Sequence, residues 1–272
     1  MLRHSVAKGR VPVPEAQLTS SLFDLSGQTA LVTGSSRGIG LAIAEALATA
    51  GARLILNGRN SEALDQAADR LRGAGATVTT SIFDVADAKA VRGAIDGIEF
   101  GGTAIDILVN NAGIQRRAPL ETFDHQDWDD LMRTNIDGVF YVSQAVARHM
   151  IPRQRGKIIN IASVQSELAR PTIAPYTATK GAVRSLTRGM CADWAKHGLQ
   201  INAIGPGYFA TPLNQALMDD PEFDTWLRKR TPAGRWGDLQ DLHGVAVFLA
   251  SSASDFVNGQ TLYVDGGVTA VI

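Results

Sequence analysis

Seven short runs of aliphatic and β-branched residues recur along this chain at 28–33 (QTALVT), 52–57 (ARLILN), 77–82 (TVTTSI), 105–110 (IDILVN), 157–162 (KIINIA), 199–204 (LQINAI) and 261–264 (TLYV). In QTALVT, ARLILN, IDILVN and KIINIA the apolar residues are nearly continuous rather than alternating, which marks strands covered on both faces. Helical spacing fills the gaps. Ile39, Ile43 and Leu47 recur up to Gly51, and Ser61 stands as an N-cap for a helix to about residue 71 that Gly73 and Gly75 close. Further helices are expected over 87–98, from Asp124 or Asp127 to about 150, over 176–197 before Gly198, and over 238–250. Strands alternating with helices give a parallel sheet, and right-handed crossovers wind it outward in both directions. The expected fold is α/β: a single-domain, doubly wound parallel sheet of the Rossmann type, with about seven strands and helices on both faces.

The 272 residues contain no second domain, repeat or low-complexity block. Residues 1–21 carry Arg3, His4, Lys8, Arg10, Pro12 and Pro14 without an apolar stretch to follow, so they are expected to be a flexible N-terminal extension to a domain over 22–272. The segment 205–237, with Pro206, Pro212, Pro221 and Pro232, reads as irregular; its length after the sixth strand suggests a lid over about 207–235. A net charge of −1 provides no field for nucleic acid or an anionic membrane, which leaves a small molecule as the partner. No apolar run reaches the ~18–20 residues of a membrane span. The single cysteine, Cys191, permits no intrachain disulfide and fits a reducing, cytoplasmic setting. His4, His125, His149, His197 and His243 lack ligand spacing, so no metal is expected.

Between the first strand and first helix stands Thr33-Gly34-Ser35-Ser36-Arg37-Gly38-Ile39-Gly40. Glycines there let the backbone approach a pyrophosphate, and the helix N-terminus offers N–H donors and a positive dipole. Strand two ends in Asn57-Gly58-Arg59-Asn60, without the carboxylate that binds the ribose hydroxyls of NAD. Arg37 and Arg59 could pair with a 2′-phosphate instead, since guanidinium matches phosphate geometry; otherwise they are surface charges. The reading favours NADP, with NAD possible. Farther on, Tyr176 and Lys180 are four apart and share one helix face. A free phenol titrates near ~10, and a neighbouring ammonium lowers that value, so the phenol could exchange a proton with an alcohol or carbonyl while Ser163 orients the reacting oxygen. Taken alone, the pair is weak evidence, and a solvated helix face is the better description of it.

From about residue 22 onward the chain resembles the short-chain dehydrogenase/reductase family. The motifs that carry the likeness are Thr33-Gly34-x-x-x-Gly38-x-Gly40, Asp84-Val85, Asn110-Asn111-Ala112-Gly113, Asn135, Ser163, Tyr176-x-x-x-Lys180, Pro206-Gly207 and Val264-Asp265-Gly266-Gly267, in family order. The resemblance implies a cofactor site of Gly34, Ser36, Arg37, Gly38, Ile39, Gly40, Arg59, Asp84, Val85, Asn111, Ala112, Gly113, Tyr176, Lys180, Pro206, Gly207 and Thr211. Asp84 would meet the adenine amino group beside the Val85 backbone. Asn111 and Gly113 would line the adenosine ribose side. Pro206, Gly207 and Thr211 would seat the nicotinamide. Catalysis would fall to Asn135, Ser163, Tyr176 and Lys180. Lys180 would hold the nicotinamide ribose and lower the Tyr176 pKa, and Asn135 would hold a water connected to Lys180. A homotetramer is also implied, built on the helices over 127–150 and 176–197.

Further stretches are similar to one branch of that family, the gluconate 5-dehydrogenases: residues 110–117, 163–168, 187–191, 207–209, 229–232 and 235–238. The implied reaction moves a hydride between NADP(H) and C5 of D-gluconate or 5-keto-D-gluconate. A sugar acid needs a cation for its carboxylate and polar groups for its hydroxyls. Arg116, Arg117 and Arg170 stand in loops that can supply the cation, and Gln115, Gln165, Glu167 and Tyr208, with Ser163, are the other candidate substrate residues. Which arginine meets the carboxylate stays open. A 3-oxoacyl-thioester reductase or another sugar or polyol dehydrogenase is the alternative. A nucleotide-binding protein without catalysis is disfavoured by the complete Asn135, Ser163, Tyr176 and Lys180 set.

Overall fold

The computed structural model describes residues 21–272, so all of the 1–21 extension except Ser21 lies outside the described residues. The strands are β1 (Thr29–Val32), β2 (Arg53–Gly58), β3 (Val78–Ile82), β4 (Ile107–Asn110), β5 (Gly156–Ile161), β6 (Leu199–Pro206) and β7 (Thr261–Val264). They form one sheet in the order β3-β2-β1-β4-β5-β6-β7. Every neighbouring pair is parallel. The helices are α1 (Gly38–Thr49), α2 (Ser61–Gly73), α3 (Ala88–Phe100), α4 (His125–Met132), α5 (Gly138–Arg153), α6 (Ala174–Trp194), α7 (Gln215–Met218), α8 (Pro221–Arg230) and α9 (His243–Ala250).

Successive strand side chains point to opposite faces. Ala30 and Val32 of β1 therefore enter one core with Ile159 and Ile161 of β5, while Leu31 and Ile158 enter the other. Ile43 and Leu47 of α1, Leu64 and Leu71 of α2, and Leu249 of α9 cover the first face. Val91 and Ile95 of α3, Val142 and Met150 of α5, and Val183 and Met190 of α6 cover the second. This double cover explains the continuous apolar runs. A buried polar seam crosses the second layer: Asn110 donates to the Asn160 side-chain oxygen and to Ser143, each at 2.8 Å, and Asn160 donates to Thr187 at 2.9 Å.

The helix starts follow capping chemistry. Asn60 caps α2, accepting from the Ala63 N–H at 2.9 Å, so the cap stands one residue before the expected Ser61. Asp87 caps α3, and of the two candidates for the next start it is Asp124 that accepts from the first-turn N–H groups of α4. The long helix expected from there runs as α4, a five-residue π-helical stretch Arg133–Asp137, and α5. The segment 205–237, expected to be irregular, contains α7 and α8. Asp220 caps α8 and Pro221 occupies its first turn, a start signal hidden among the prolines. At the neck of this excursion Gly237 donates to the Tyr208 carbonyl at 2.8 Å, and Ala210 donates to the Gly237 carbonyl at 3.0 Å.

Strand order reverses at β1 and β4, where the loops leaving the sheet's C-terminal edge part. An open α/β sheet has its natural crevice there.

Candidate active site

A cleft of about 820 Å³ follows that edge, from the loops after β1, β2 and β3 to those after β5 and β6. Its first half is built by backbone. Gly34 has φ +61°, and a Cβ there would stand 2.8 Å from the Ala112 Cα. Gly40 lies beneath the turn rather than on the cleft wall. A Cβ at Gly40 would come within 2.5 Å of the Gly34 carbonyl oxygen and collide with the Asn111 amide. Gly38, with φ +57°, has nothing within 4 Å of a built Cβ, so a side chain there would project into the open space of the cleft. The helix α1 begins at Gly38 with no side-chain cap and no acidic residue in its first turn, which leaves N–H donors and the dipole for an anion.

Two loops are tied together behind this cradle. Thr33 Oγ1 accepts from the Asn111 and Ala112 N–H groups, each at 3.0 Å, and the Asn111 amide donates to the Thr33 and Gly34 carbonyls at 2.9 and 3.0 Å. Asn111 thus braces the turn as well as lining the cleft. Ser36, Arg37, Ile39, Arg59, Asp84, Val85, Ala112 and Gly113 also line it. The exposed Arg37 side chain has no hydrogen-bond or ion-pair partner among the described residues, and Arg59 pairs with Asp84 at 3.3 Å. A dinucleotide carrying an extra phosphate fits these residues: a cradle that excludes a Cβ, an uncapped helix N-terminus, and two arginines, Arg37 in the turn after β1 and Arg59 just past β2.

The second half is built by side chains. Ser163 follows β5, and its oxygen accepts from the Gln165 N–H at 3.1 Å, leaving its O–H to donate. Tyr176 and Lys180, one turn apart on α6, both line the cleft. Lys180 Nζ donates to the Ile161 carbonyl at 2.7 Å and lies 5.6 Å from the centre of the Tyr176 ring. Burial lowers the Lys180 pKa to about 8. Tyr176 is pushed up to about 12, first by burial; the Ser163 hydroxyl and then the Arg117 charge pull it down, and Tyr208 pushes it up. This reverses the expected lowering of Tyr176 by Lys180. The ammonium sits over the ring and engages a backbone carbonyl, while the cation acting on the phenol is Arg117.

Asn135, buried in the π-helical stretch, accepts from the Ile114 N–H at 2.9 Å and donates to the Ile114 carbonyl at 3.0 Å and to Thr179 Oγ1 at 3.2 Å. Its carboxamide therefore joins the loop after β4 to the helix that carries Lys180, and it lies behind the cleft wall. Pro206, Gly207 and Thr211 line the cleft at the end of β6.

Among the substrate candidates, Gln115, Ser163, Gln165 and Tyr208 line the cleft. Arg116 and Glu167 do not. Arg116 is drawn out by Asp127 of α4 at 2.8 Å. Glu167 pairs with Arg184 at 2.6 Å and accepts from the Tyr263 hydroxyl at 3.1 Å. Gln165 is the middle residue of a 3-10 turn, Val164–Ser166, and Glu167 stands just past its end, so the two face different ways. Arg117 and Arg170 enter the cleft instead. The Arg117 pKa is lowered by burial and then by the Arg170 charge; Tyr208 and Tyr176 raise it. Arg170 also lies 5.5 Å over the Phe223 ring of α8, within an aromatic cluster with Tyr208, Trp226 and Trp236. Nothing in the sequence separates Arg117 from Arg116, because the choice depends on Asp127. Asn57, Thr134 and Asn214 line the cleft as well and carry no motif that marks them.

Among the described residues, no group of three His, Cys, Asp or Glu side chains is placed to hold a metal, and no helix is long and apolar enough to cross a membrane. A family model described as enoyl-(acyl carrier protein) reductase matches residues 34–269. The gluconate 5-dehydrogenase of Gluconobacter oxydans (strain 621H) is 63% identical over 248 residues, covering 91% of this chain and 97% of that protein. The 5-keto-D-gluconate 5-reductase of Escherichia coli (strain K12) is 50% identical over 253 residues, covering 93% and 100%. The crystal structure of a gluconate 5-dehydrogenase from Burkholderia cenocepacia J2315, in complex with NADP and tartrate, matches with a TM-score of 0.92 and 62% identity, covering 93% of this chain and 100% of that one. With the glycine cradle, the Ser163, Tyr176 and Lys180 grouping and these matches over nearly its whole length, the chain belongs to the short-chain dehydrogenase/reductase family.

Proposed function

We propose that this protein transfers a hydride between NADP(H) and C5 of D-gluconate, with 5-keto-D-gluconate as the oxidised partner. The observation that carries the reading is the Arg117 and Arg170 pair beside Tyr176, with Asp84, at the far end of the cleft, as the one acidic residue among the described residues that line it. Two guanidiniums that disfavour one another's charge favour an anion between them. A neutral 3-oxoacyl thioester offers no such group at that end. Relatives that act on gluconate and 5-keto-D-gluconate, and one crystallised with NADP and tartrate, support the same reading.

NADPH held along the glycine cradle supplies the hydride. Arg37 and Arg59 bind its extra phosphate, and Asp84 and Val85 face its adenine end. Ser163 turns its O–H from Tyr176 to the ketone oxygen, and Tyr176 gives that oxygen a proton. Protonation of Tyr176 is secure across the neutral range because burial holds its pKa high. Lys180, with one N–H on the Ile161 carbonyl, keeps two donors for the cleft and restores the proton. Asn135 is a positioning residue that fixes Ile114 and Thr179 on either side of that proton path. Arg117 and Arg170 hold the carboxylate, and Gln115, Gln165 and Tyr208 meet hydroxyls. Oxidation runs the same steps in reverse.

Rates with 5-keto-D-gluconate and with an acetoacetyl thioester, each with NADPH and NADH, test this directly. The sugar acid with NADPH should be fastest; a faster thioester would overturn the substrate, and a faster NADH reaction the cofactor. Tyr176→Phe should retain NADPH binding and lose turnover by ~100-fold or more. Near-normal turnover in that variant would remove Tyr176 as the proton donor.

The same reading makes 207–235 a lid whose aromatic cluster closes on the substrate; equal protease protection with and without NADPH and substrate would exclude it. It also makes the protein a cytoplasmic homotetramer. Trp128 and Phe140, exposed along 127–150, one of the two helical stretches expected to meet partner subunits, support the assembly, and a monomer by light scattering would remove it.

A further inference from the structure

Gln165 is 7% exposed and lines the cleft two residues after Ser163. Its side-chain N–H donates to the Tyr208 hydroxyl at 3.3 Å, and its buried side-chain oxygen has no hydrogen-bond partner among the described residues. A buried amide oxygen without a donor is costly, so a ligand that supplies one is favoured there.

The pair has a property that does not depend on how the amide is turned. If the Gln165 NH₂ donates to Tyr208, the amide oxygen is left as an acceptor and the Tyr208 O–H as a donor. If the amide is reversed, Tyr208 donates to the oxygen, leaving an amide N–H as donor and the phenol oxygen as acceptor. Either way the pair presents one donor and one acceptor. A hydroxyl satisfies both at once. A carboxylate can only accept, and a methylene or thioester sulfur satisfies neither well. The charge at this end agrees, since the carboxylate's partners are separate groups: Arg117 stands on the loop after β4, and Arg170 five residues beyond Gln165 in the connection to α6.

Resting on the hydride-transfer reading above, we infer that Gln165 and Tyr208 form a hydroxyl-reading pair that selects ketones bearing a hydroxyl beside the reacting carbon. The part played by the pair is thus narrowed from meeting some hydroxyl of the sugar acid to selecting for the hydroxyl next to the ketone. The two residues enter from different elements: Gln165 from the turn after β5, and Tyr208 from the base of the 207–235 excursion, where its ring meets Phe223 and Trp236. A site built to hydrogen-bond a substrate hydroxyl rejects the analogue that lacks it far more strongly than an apolar pocket rejects a missing methylene.

The test compares 5-keto-D-gluconate with 5-oxohexanoate, which keeps the carboxylate and the C5 ketone and lacks every hydroxyl. Gln165→Met and Tyr208→Phe are the variants, with NADPH binding by fluorescence and the melting transition as folding controls. The native enzyme should favour the hydroxylated substrate strongly in kcat/KM. Each variant should cut that preference by ~10-fold or more, with most of the loss on 5-keto-D-gluconate. A preference unchanged in Gln165→Met, in a protein that still binds NADPH, overturns the inference. Should the native enzyme fail on 5-keto-D-gluconate, the proposed reaction fails instead. The pair is then judged on 3-hydroxybutanone against butanone, where a preference that survives Gln165→Met again overturns it.

Discussion

The two halves of the cleft are specified in different ways. At the cofactor half the wall is mostly main chain: Gly34 and Gly38 at positive φ, the N-terminus of α1, and the Thr33–Asn111 brace. At the substrate half the wall is mostly long side chains on loops, and neighbours on other elements decide which of them point inward. Arg116 and Arg117 are adjacent in sequence, yet one is held outside by Asp127 while the other stands beside Tyr176. Backbone recognition tolerates little change and announces itself through glycine. Side-chain recognition can be rewritten by a single distant charge.

The strongest way to break the first half is Gly40→Ala. Its methyl group would meet the Asn111 amide and the Gly34 carbonyl oxygen, and the carbonyl belongs to backbone that cannot swing aside. Moving the turn by even ~1 Å should raise the KM for NADPH by about 100-fold. Overpacking of ~1–3 kcal/mol should also lower the melting temperature by several degrees. Steady-state kinetics and calorimetry read both, and a native KM would mean that the cradle is far softer than its geometry.

Arg117→Met tests the second half. It removes a charged partner from the proposed carboxylate site while keeping the stem's volume. The KM for 5-keto-D-gluconate should rise ~10–100-fold, with the dissociation constant of NADPH close to native. Arg170→Met should act in the same direction. An effect on NADPH as large as that on the sugar acid would place Arg117 in the wrong half.

The same contrast explains what could be read from sequence. The strands were legible because the sheet is buried on both faces, so the runs in β1, β4 and β5 are apolar without alternation. Gly34, Asp84 and Asn111 were legible because each stands within two residues of a strand end, where the sheet itself fixes its position, and Gly38 because it opens the helix that follows β1. Glu167 was not, because its direction depends on Arg184 and Tyr263, the latter 96 residues away. The helix α8 was masked by the surrounding prolines, although Asp220-Pro221 is a proper start. The Tyr176 pKa was misjudged because sequence spacing gives neighbours and not burial, and burial is the larger influence.

Lys180 links the halves, and pH separates its two roles. Its pKa falls from the free value of 10.5 to about 8 because burial disfavours the ammonium. Between those values the unfolded chain binds more protons at this residue than the folded one, so its contribution to stability rises with pH from about 8 toward 10.5. Activity responds in opposite senses. Reduction, which needs the ammonium as proton source, should fall as pH passes about 8; oxidation should climb to a plateau there, by up to ~10-fold per pH unit on the acid side. Rate profiles in both directions, with Lys180→Met as the control that lacks the inflection, check this. An inflection that survives in Lys180→Met would assign it to another group.

The smallest expected effect is the sharpest test of the boundary between neighbours. Arg116 has the charge, the loop and the position that would suit a sugar acid, and only its contacts argue otherwise. Its guanidinium bonds Asp127 at 2.8 Å and its own neighbour's carbonyl, that of Gln115, at 3.3 Å, outside the cleft wall. Both members of the ion pair are more than two-fifths exposed, a setting in which such pairs contribute ~0–1 kcal/mol. Arg116→Ala should therefore leave kcat/KM for 5-keto-D-gluconate within about twofold of native, and stability nearly so. A loss approaching that of Arg117→Met would mean that Arg116 leaves Asp127 when substrate arrives. The double variant Arg116→Ala with Asp127→Ala distinguishes that exchange from simple loosening of the loop. If Asp127 competes with the substrate for Arg116, Asp127→Ala alone should lower the KM, whereas a loosened loop would raise it.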